Sequence, residues 1–357
     1  MSETVKDSAP QGTKGRRGPV KNRGLPLLLA LLLLAGCAPQ PAQSEGYAPK
    51  EEDRLVVYTA HKEEVYWPIV KEFEERTGIW VEVVPGGTNE LLERIRRESG
   101  SPAADVMFGG GVESLTAYGD CFAPYRCTQA EELQPRFRDP EDRWTPFSAL
   151  PVVLVYNTRL MRPGQEPDWD DLLSPALRGR IAFADPSVSG SSFTALETLM
   201  LAEGEMEEDA LLRTFAENLD GQQLGGSGEV LRAVADGTAL VGVTLEETAL
   251  KSVAAGDNIA LVYPKSGTSC VPDAGALILG APHEENAKRF LDFTVSHEVQ
   301  QLLTEKFCRR SVRGDVESSL VPLEDIQLLH YDVEKTSESR DAVLMTWAFY
   351  LGGEKEP

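Results

Sequence analysis

Histidine is scarce in this chain, four among 357 residues, and positive charge is outweighed, with 35 Lys and Arg against 57 Asp and Glu for a net charge of −22. So few imidazoles leave little scope for general-base chemistry. A surface this acidic repels nucleic acid and argues against an extended basic groove. Several catalytic signatures are missing. Gly190-Ser-Ser-Phe-Thr194 does not supply a Gly-x-Ser-x-Gly elbow, there is no His-Glu-x-x-His helix, and no glycine-rich loop ends in the Lys of a Walker motif. Nowhere do two tyrosines stand side by side. No repeat of fixed period and no low-complexity tract interrupts the body. These absences point away from an enzyme, and nothing calls for a cofactor.

Long apolar runs are also lacking. Leu25 to Gly36 is the one extended hydrophobic stretch, about a dozen residues where a membrane span needs roughly 20. Lys14, Arg16, Arg17, Lys21 and Arg23 precede it, so residues 1–36 read as an export signal. The sequence Leu34-Ala35-Gly36-Cys37 resembles the lipobox of bacterial lipoproteins, which implies cleavage before Cys37 and lipid attachment to it. Residues 37–53, rich in Pro, Ser and charge, read as a flexible tether. The removed segment carries six Lys and Arg against Glu3 and Asp7, so the exported body sits near −26. The expected location is the outer face of the cytoplasmic membrane or the periplasm. In such an oxidising compartment the remaining four cysteines are expected to form two disulfides, Cys121–Cys127 and Cys270–Cys308.

About 300 residues remain, enough for two domains. Leu55–Thr59, Trp80–Val84 and Asp105–Phe108 are strand-like, with helical spacing between them: Val65, Ile69, Val70 and Phe73 before Gly78, then Leu91, Leu92 and Ile95 after Asn89. Pro68 is expected in the first turn of its helix. A β-α-β-α-β order implies a parallel sheet. Each strand ends in a small or polar turn, Thr59-Ala60-His61, Gly86-Gly87-Thr88 and Gly109-Gly110-Gly111. Ligands collect at such strand ends, where bare amides and helix N-termini favour negative charge. Leu150–Asn157 is a long β-rich run that crosses between lobes, and a second αβ series follows it. Its strand at 180–184 runs into Ser189-Gly190-Ser191-Ser192 ahead of a helix. Beyond Leu279 the pattern is helical only.

The pieces Val57-Tyr58…His61-Lys62-Glu63, Phe73-Glu74-Glu75-Arg76-Thr77-Gly78 and Ala104-Asp105-Val106-Met107-Phe108-Gly109-Gly110-Gly111 are joined downstream by others. These are Leu177-Arg178-Gly179-Arg180-Ile181-Ala182, Asp185-Pro186…Ser189-Gly190-Ser191-Ser192, Tyr263-Pro264-Lys265-Ser266-Gly267-Thr268 and Ala287-Lys288-Arg289-Phe290. In order and spacing, across residues 55–313, the chain resembles the extracellular solute-binding proteins of bacterial ABC importers, in the branch that binds ferric iron, phosphonates and hexose phosphates. The resemblance implies an α/β architecture of the two-lobed type II periplasmic-binding-protein fold, with two αβ domains joined by crossing hinge strands. Residues 54–152 with about 272–307 would form one lobe, and 153–271 with about 308–357 the other. Partners would be a small solute and an ABC permease, for a monomer held at the membrane through Cys37.

The ligand must be argued from residues. Ferric-binding members pair a His after the first strand with two adjacent tyrosines. His61 holds the first place, but Val243-Thr-Leu-Glu-Glu247 offers carboxylates where the tyrosines belong. His61 and Glu246 would be the metal ligands if iron were bound; otherwise no metal is expected. Ser189, Gly190, Ser191 and Ser192 offer hydroxyl and amide donors to a phosphate or phosphonate, or they only turn the chain and cap the helix. With Thr59, His61, Gly87, Thr88, Gly110 and Gly111 from the first lobe and Glu246 for sugar or polyol hydroxyls, they make up the expected anion site. The alternatives are iron capture, and a ligand-sensing partner of a membrane receptor.

Overall fold

Apolar strands that end in glycine-bearing turns organise the first half of the chain. The computed structural model describes residues 49–162 and 164–352. The export signal, Cys37 and all but the last residues of the expected tether lie outside the described residues. Those last residues are docked, since Asn286 donates to the Glu52 and Arg54 carbonyls at 2.9 and 2.8 Å. Among the described residues no helix is long and apolar enough to cross a membrane.

In chain order β1 (Arg54–Thr59), α1 (Glu63–Thr77), β2 (Trp80–Pro85), α2 (Thr88–Glu98), β3 (Val106–Gly111) and α3 (Val112–Ala117) alternate. β1 lies parallel between β2 and β3. Gly78 closes α1 in the left-handed region at φ 72°, a conformation glycine adopts without a side-chain clash. Pro68 lies inside α1, not in its first turn, because the helix begins at Glu63. Next come β4 (Phe122–Ala123), β5 (Thr145–Asn157), α4 (Trp169–Leu173), β6 (Ile181–Ala184), α5 (Gly190–Ala202), α6 (Glu208–Leu219), β7 (Gln223–Leu224) and α7 (Ser227–Ala235). The chain finishes with β8 (Val241–Leu245), α8 (Glu246–Ala254), β9 (Ile259–Val262), β10 (Cys270–Ile278), α9 (Glu284–Thr294), α10 (His297–Phe307), β11 (Arg310–Ser311) and α11 (Val333–Tyr350). β11 breaks the expected all-helical ending, and α11 begins well before the apolar spacing that marks its last turns.

The strands follow the order β2-β1-β3-β10-β5-β8-β6-β7. β5 joins the two halves, and all thirteen of its residues are buried. From Thr145 to Pro151 it pairs with β10, and from Val152 to Tyr156 with β8. Pro151 marks the change of partner. A proline has no N–H for the ladder, so it is tolerated where one set of pairings ends and another begins. Two large apolar cores flank this strand. One is built on Leu55, Phe73, Phe108, Phe147 and Phe290, the other on Trp169, Phe183, Phe193, Phe215 and Trp347. β11 pairs with Ser148 and Ala149 of β5, while the side chains of Arg309 and Arg310 reach Glu247 and Glu246 of α8, so the chain just past residue 308 touches both halves.

Among the described residues Cys121, Cys127, Cys270 and Cys308 stand as free thiols, so the two expected disulfides are not shown. Cys121 enters the apolar cluster of Tyr118, Phe122 and Trp144, whereas Cys127 enters that of Leu133 and Phe137. Six residues apart in sequence, the two thiols are drawn into different cores. Cys308 is held as the left-handed cap of α10 at φ 54°, while Cys270 opens β10.

Candidate functional site

A cavity of about 210 Å³ lies beside Leu150 of β5 and Val271, Pro272 and Asp273 of β10, between the two halves. From the first half it is lined by His61, Gly87, Thr88, Gly110 and Gly111, from the second by Ser189, Gly190 and Ser191. Strand ends from both halves therefore meet in one cleft. Gly87 caps α2 and Ser189 caps α5, so the first turns of two helices face the same space. A side chain at Gly190 would come within 3.3 Å of Thr88 Oγ1, and one at Gly110 within 2.8 Å of Thr88 Cγ2. Gly110 also has φ 108°, a conformation open to glycine and strained for other residues. The glycines thus let the two helix starts approach.

Three expected contact residues do not line the cavity. Thr59 is fully buried and builds the turn, donating to the Phe108 carbonyl at 2.8 Å and accepting from the His61 amide at 3.1 Å. Ser192 turns inward and donates to Ser189 Oγ at 3.1 Å. Glu246 is taken up by Arg310, at 2.7 Å from Nε and 2.6 Å from Nη2, with the Tyr263 hydroxyl as a further donor. It is Glu247, the next residue, that reaches the cleft.

Most of the charge inside the cleft is paired. Arg309 is buried and donates to Asp273 Oδ2 at 2.7 Å, to Ser148 Oγ at 2.8 Å and to Glu247 Oε1 at 3.3 Å. Burial works against its charge, but Asp273 and Glu247 more than compensate and raise its pKa. Burial likewise opposes ionisation of Glu247, yet Arg309 and Lys251 hold its carboxyl below the ordinary value. Lys251 reaches Glu247 at 3.2 Å and Glu64 of α1 at 3.0 Å, an ion pair from one half to the other. Arg309 and Lys251 are thus taken up by Asp273, Glu247 and Glu64, while Lys62, the N-cap of α1, also lines the cavity, so an anion entering the cleft meets amides, hydroxyls and one further lysine.

His61 packs edge-on against Phe108 at 4.5 Å between ring centroids and tilts against Phe147 at 5.0 Å. Burial lowers its pKa to about 4 despite nearby Asp273, so the ring is neutral at pH 7. Among the described residues its Nε2 has no hydrogen-bond partner, and Nδ1 is 3.8 Å from Asp273, too far for a bond. His283, by contrast, has a structural role, its Nδ1 lying 2.9 Å from Asp105.

Sequence reasoning passed over Arg309, Lys251, Thr194, Ser227 and Thr248, all of which line the cavity. The adjacent pairs Glu246-Glu247 and Arg309-Arg310 were the available signal. Opposite charges in matching doublets invite pairing, but which member faces a ligand depends on the fold.

The chain matches the model of the bacterial extracellular solute-binding protein family over residues 55–309. It is 26% identical over 318 residues to the Fe(3+)-binding periplasmic protein of Serratia marcescens, covering 85% of this chain and 93% of that one. A protein of Salmonella paratyphi A named for binding 2-aminoethylphosphonate is 23% identical over 337 residues, 89% of this chain and 96% of the relative. The periplasmic binding protein AfuA of Actinobacillus pleuropneumoniae, solved with exogenous fructose-6-phosphate bound, superposes with a TM-score of 0.77 at 26% identity, over 84% of this chain and 98% of that one. The fold is that of the type II periplasmic binding proteins. The chain belongs to the bacterial extracellular solute-binding protein family and is an exported substrate-binding protein of the ABC importer kind.

Proposed function

We propose that this protein captures a small anionic solute bearing a phosphate or phosphonate group and hands it, chemically unchanged, to an ABC permease. One observation carries the reading: Gly87 and Thr88 at the start of α2 face Ser189, Gly190 and Ser191 at the start of α5 across a single cavity. Two helix starts with free amides and hydroxyls suit an oxyanion without a full positive charge. Glu247, Asp273 and the neutral His61 remain for hydroxyls or an amine on the rest of the solute. In this reading the two halves close as hinged lobes about β5 and β10, and binding favours closure by its differential affinity for the closed state. A lipid on Cys37 holds the monomer at the membrane.

The iron reading has one feature in its favour, the unpartnered Nε2 of His61 beside Glu247 and Asp273. Against it, Arg309 occupies both carboxylates and Glu246 faces Arg310. Among the described residues no three His, Cys, Asp or Glu side chains are grouped to hold a metal. A thermal-shift screen with sugar phosphates, glycerophosphates, phosphonates and ferric citrate tests the choice. A ligand at 100 times its Kd adds about 2.7 kcal/mol of apparent stability. A shift with ferric citrate and none with any phosphorus compound overturns the phosphate reading. Deleting the protein and following solute uptake against signalling output separates the importer role from that of a receptor's sensing partner.

A further inference from the structure

Behind the cavity wall lies a polar cluster that the capture reading does not use. Glu113, in the first turn of α3, has no exposed surface, and its Oε1 accepts a hydrogen bond at 2.5 Å from the Thr194 hydroxyl. Thr194 lines the cavity from α5, and its Oγ1 also lies 3.2 Å from the Gly190 carbonyl. Glu113 Oε2 is buried without a hydrogen-bond partner among the described residues. Around this carboxyl stand Glu197 of α5, Tyr331 ahead of α11 and Arg340 of α11, and beyond them Glu208 of α6 and Lys335 of α11 act on Glu197. Arg340 does not neutralise Glu113 by contact, since its Nη2 donates to Asn89 Oδ1 at 2.5 Å.

The two protonation states of Glu113 give the cavity different chemistry. Ionised, Glu113 only accepts, so it consumes the Thr194 proton and leaves Thr194 presenting lone pairs to the solute. Neutral, its Oε1–H donates to Thr194 Oγ1, and the Thr194 hydrogen is freed to turn to the Gly190 carbonyl, 3.2 Å away, when the cavity is empty, and toward an oxyanion when one is bound. Burial raises the Glu113 pKa, opposed by the Thr194 hydrogen bond and Arg340. A buried carboxylate with an orphan oxygen is costly, and an oxyanion entering the adjacent cavity raises that cost, which favours the neutral form once the solute is bound.

We propose that Glu113 is a positioning residue which couples capture of an oxyanion to uptake of one solvent proton by turning the Thr194 hydroxyl toward the solute. This rests on the phosphate or phosphonate reading of the cavity. The proton resides on Glu113 Oε1, and no covalent bond in the solute changes. Linkage sets the sign: affinity falls as pH rises through the Glu113 pKa of the empty protein, by up to about tenfold per pH unit.

The test is calorimetry with a hexose 6-phosphate and with methylphosphonate, from pH 5.5 to 8.5, in two buffers of different ionisation enthalpy. Wild type is compared with Glu113→Gln, which donates permanently, and with Thr194→Val, which keeps the shape and removes the hydroxyl. The ligand's own titration is common to all three. Wild type is expected to take up as much as one proton more than either variant and to lose affinity more steeply with pH than Glu113→Gln. Equal proton counts and parallel profiles in wild type and Glu113→Gln overturn the coupling alone. Folded proteins that bind neither probe at any pH overturn the phosphate reading, and the coupling with it.

Discussion

Arg310 and Glu246 form a bidentate pair in which Glu246 keeps almost no exposed surface, while their neighbours Arg309 and Glu247 form a second, looser pair facing the cleft. Consecutive carboxylates at the start of α8 are thereby divided between structure and solute. Truncating Glu246 to Ala would leave the Arg310 charge buried and unpaired, at a cost of about 3 kcal/mol or more. Urea denaturation should register that loss, with solute affinity nearly unchanged in protein that remains folded. A large loss of affinity without loss of stability would reverse the assignment. Glu247→Gln is expected to do the opposite, altering affinity through the Arg309 and Lys251 network.

Ser189 and Ser191 separate capping from binding. The Ser189 side chain accepts from the Ser192 amide as the cap of α5 and also lines the cavity, whereas Ser191 lines the cavity and its hydroxyl meets that of Ser189 at 3.0 Å. Ser189→Ala should lower stability by about 1 kcal/mol and weaken binding too. Ser191→Ala should weaken binding by roughly 1 kcal/mol, about fivefold in Kd, with little change in stability. An unchanged Kd in Ser191→Ala would remove that hydroxyl from the anion site.

The parallel first half was legible because its signals are local: apolar runs, helical spacing and glycine at each strand end. The convergence of Gly87, Gly110 and Ser191 could be inferred from strand ends and family resemblance. Arg309 could not. It follows the left-handed cap at Cys308, and its reach to Asp273 and Glu247 joins segments 36 and 62 residues away, which no local pattern reports. Glu246 misled for a related reason. At a helix start either of two adjacent carboxylates can face inward, and Arg310 decides which. The disulfides were not legible, because an even cysteine count in an exported chain says nothing about which core each thiol enters.

Glu197 makes alkaline pH unfavourable. Burial, with Glu113 nearby, lifts its pKa to about 8 from an ordinary 4.5. The unfolded chain releases this proton first, so the stability Glu197 contributes is present below pH 4.5 and declines as pH rises toward 8. Glu197→Gln cannot ionise and should therefore exceed wild type in stability at pH 8, by on the order of 2 kcal/mol or more, with a smaller difference at pH 5. Urea midpoints at the two pH values check this. A difference that does not grow with pH would mean that Glu197 is ionised in the folded protein.

His61 acts at the acid end. Its folded pKa of about 4 lies below the ordinary 6.5, so the unfolded chain binds the proton first as pH falls. The folded protein keeps its full stability above pH 6.5 and loses it progressively down to about pH 4, by on the order of 3 kcal/mol at the limit. Other carboxylates add their own acid dependence, which a variant isolates. His61→Gln retains a polar side chain without a titrating ring, so it should lose less stability than wild type between pH 6.5 and 4.5. Because His61 lies in the solute cavity, a solute that hydrogen-bonds the neutral ring should raise stability while carrying the acid loss to still lower pH in wild type, and should have less effect on the profile of His61→Gln. Identical acid profiles for the two proteins would place the ring's proton on the folded state as readily as on the unfolded one, and His61 would then be a charged residue of the site.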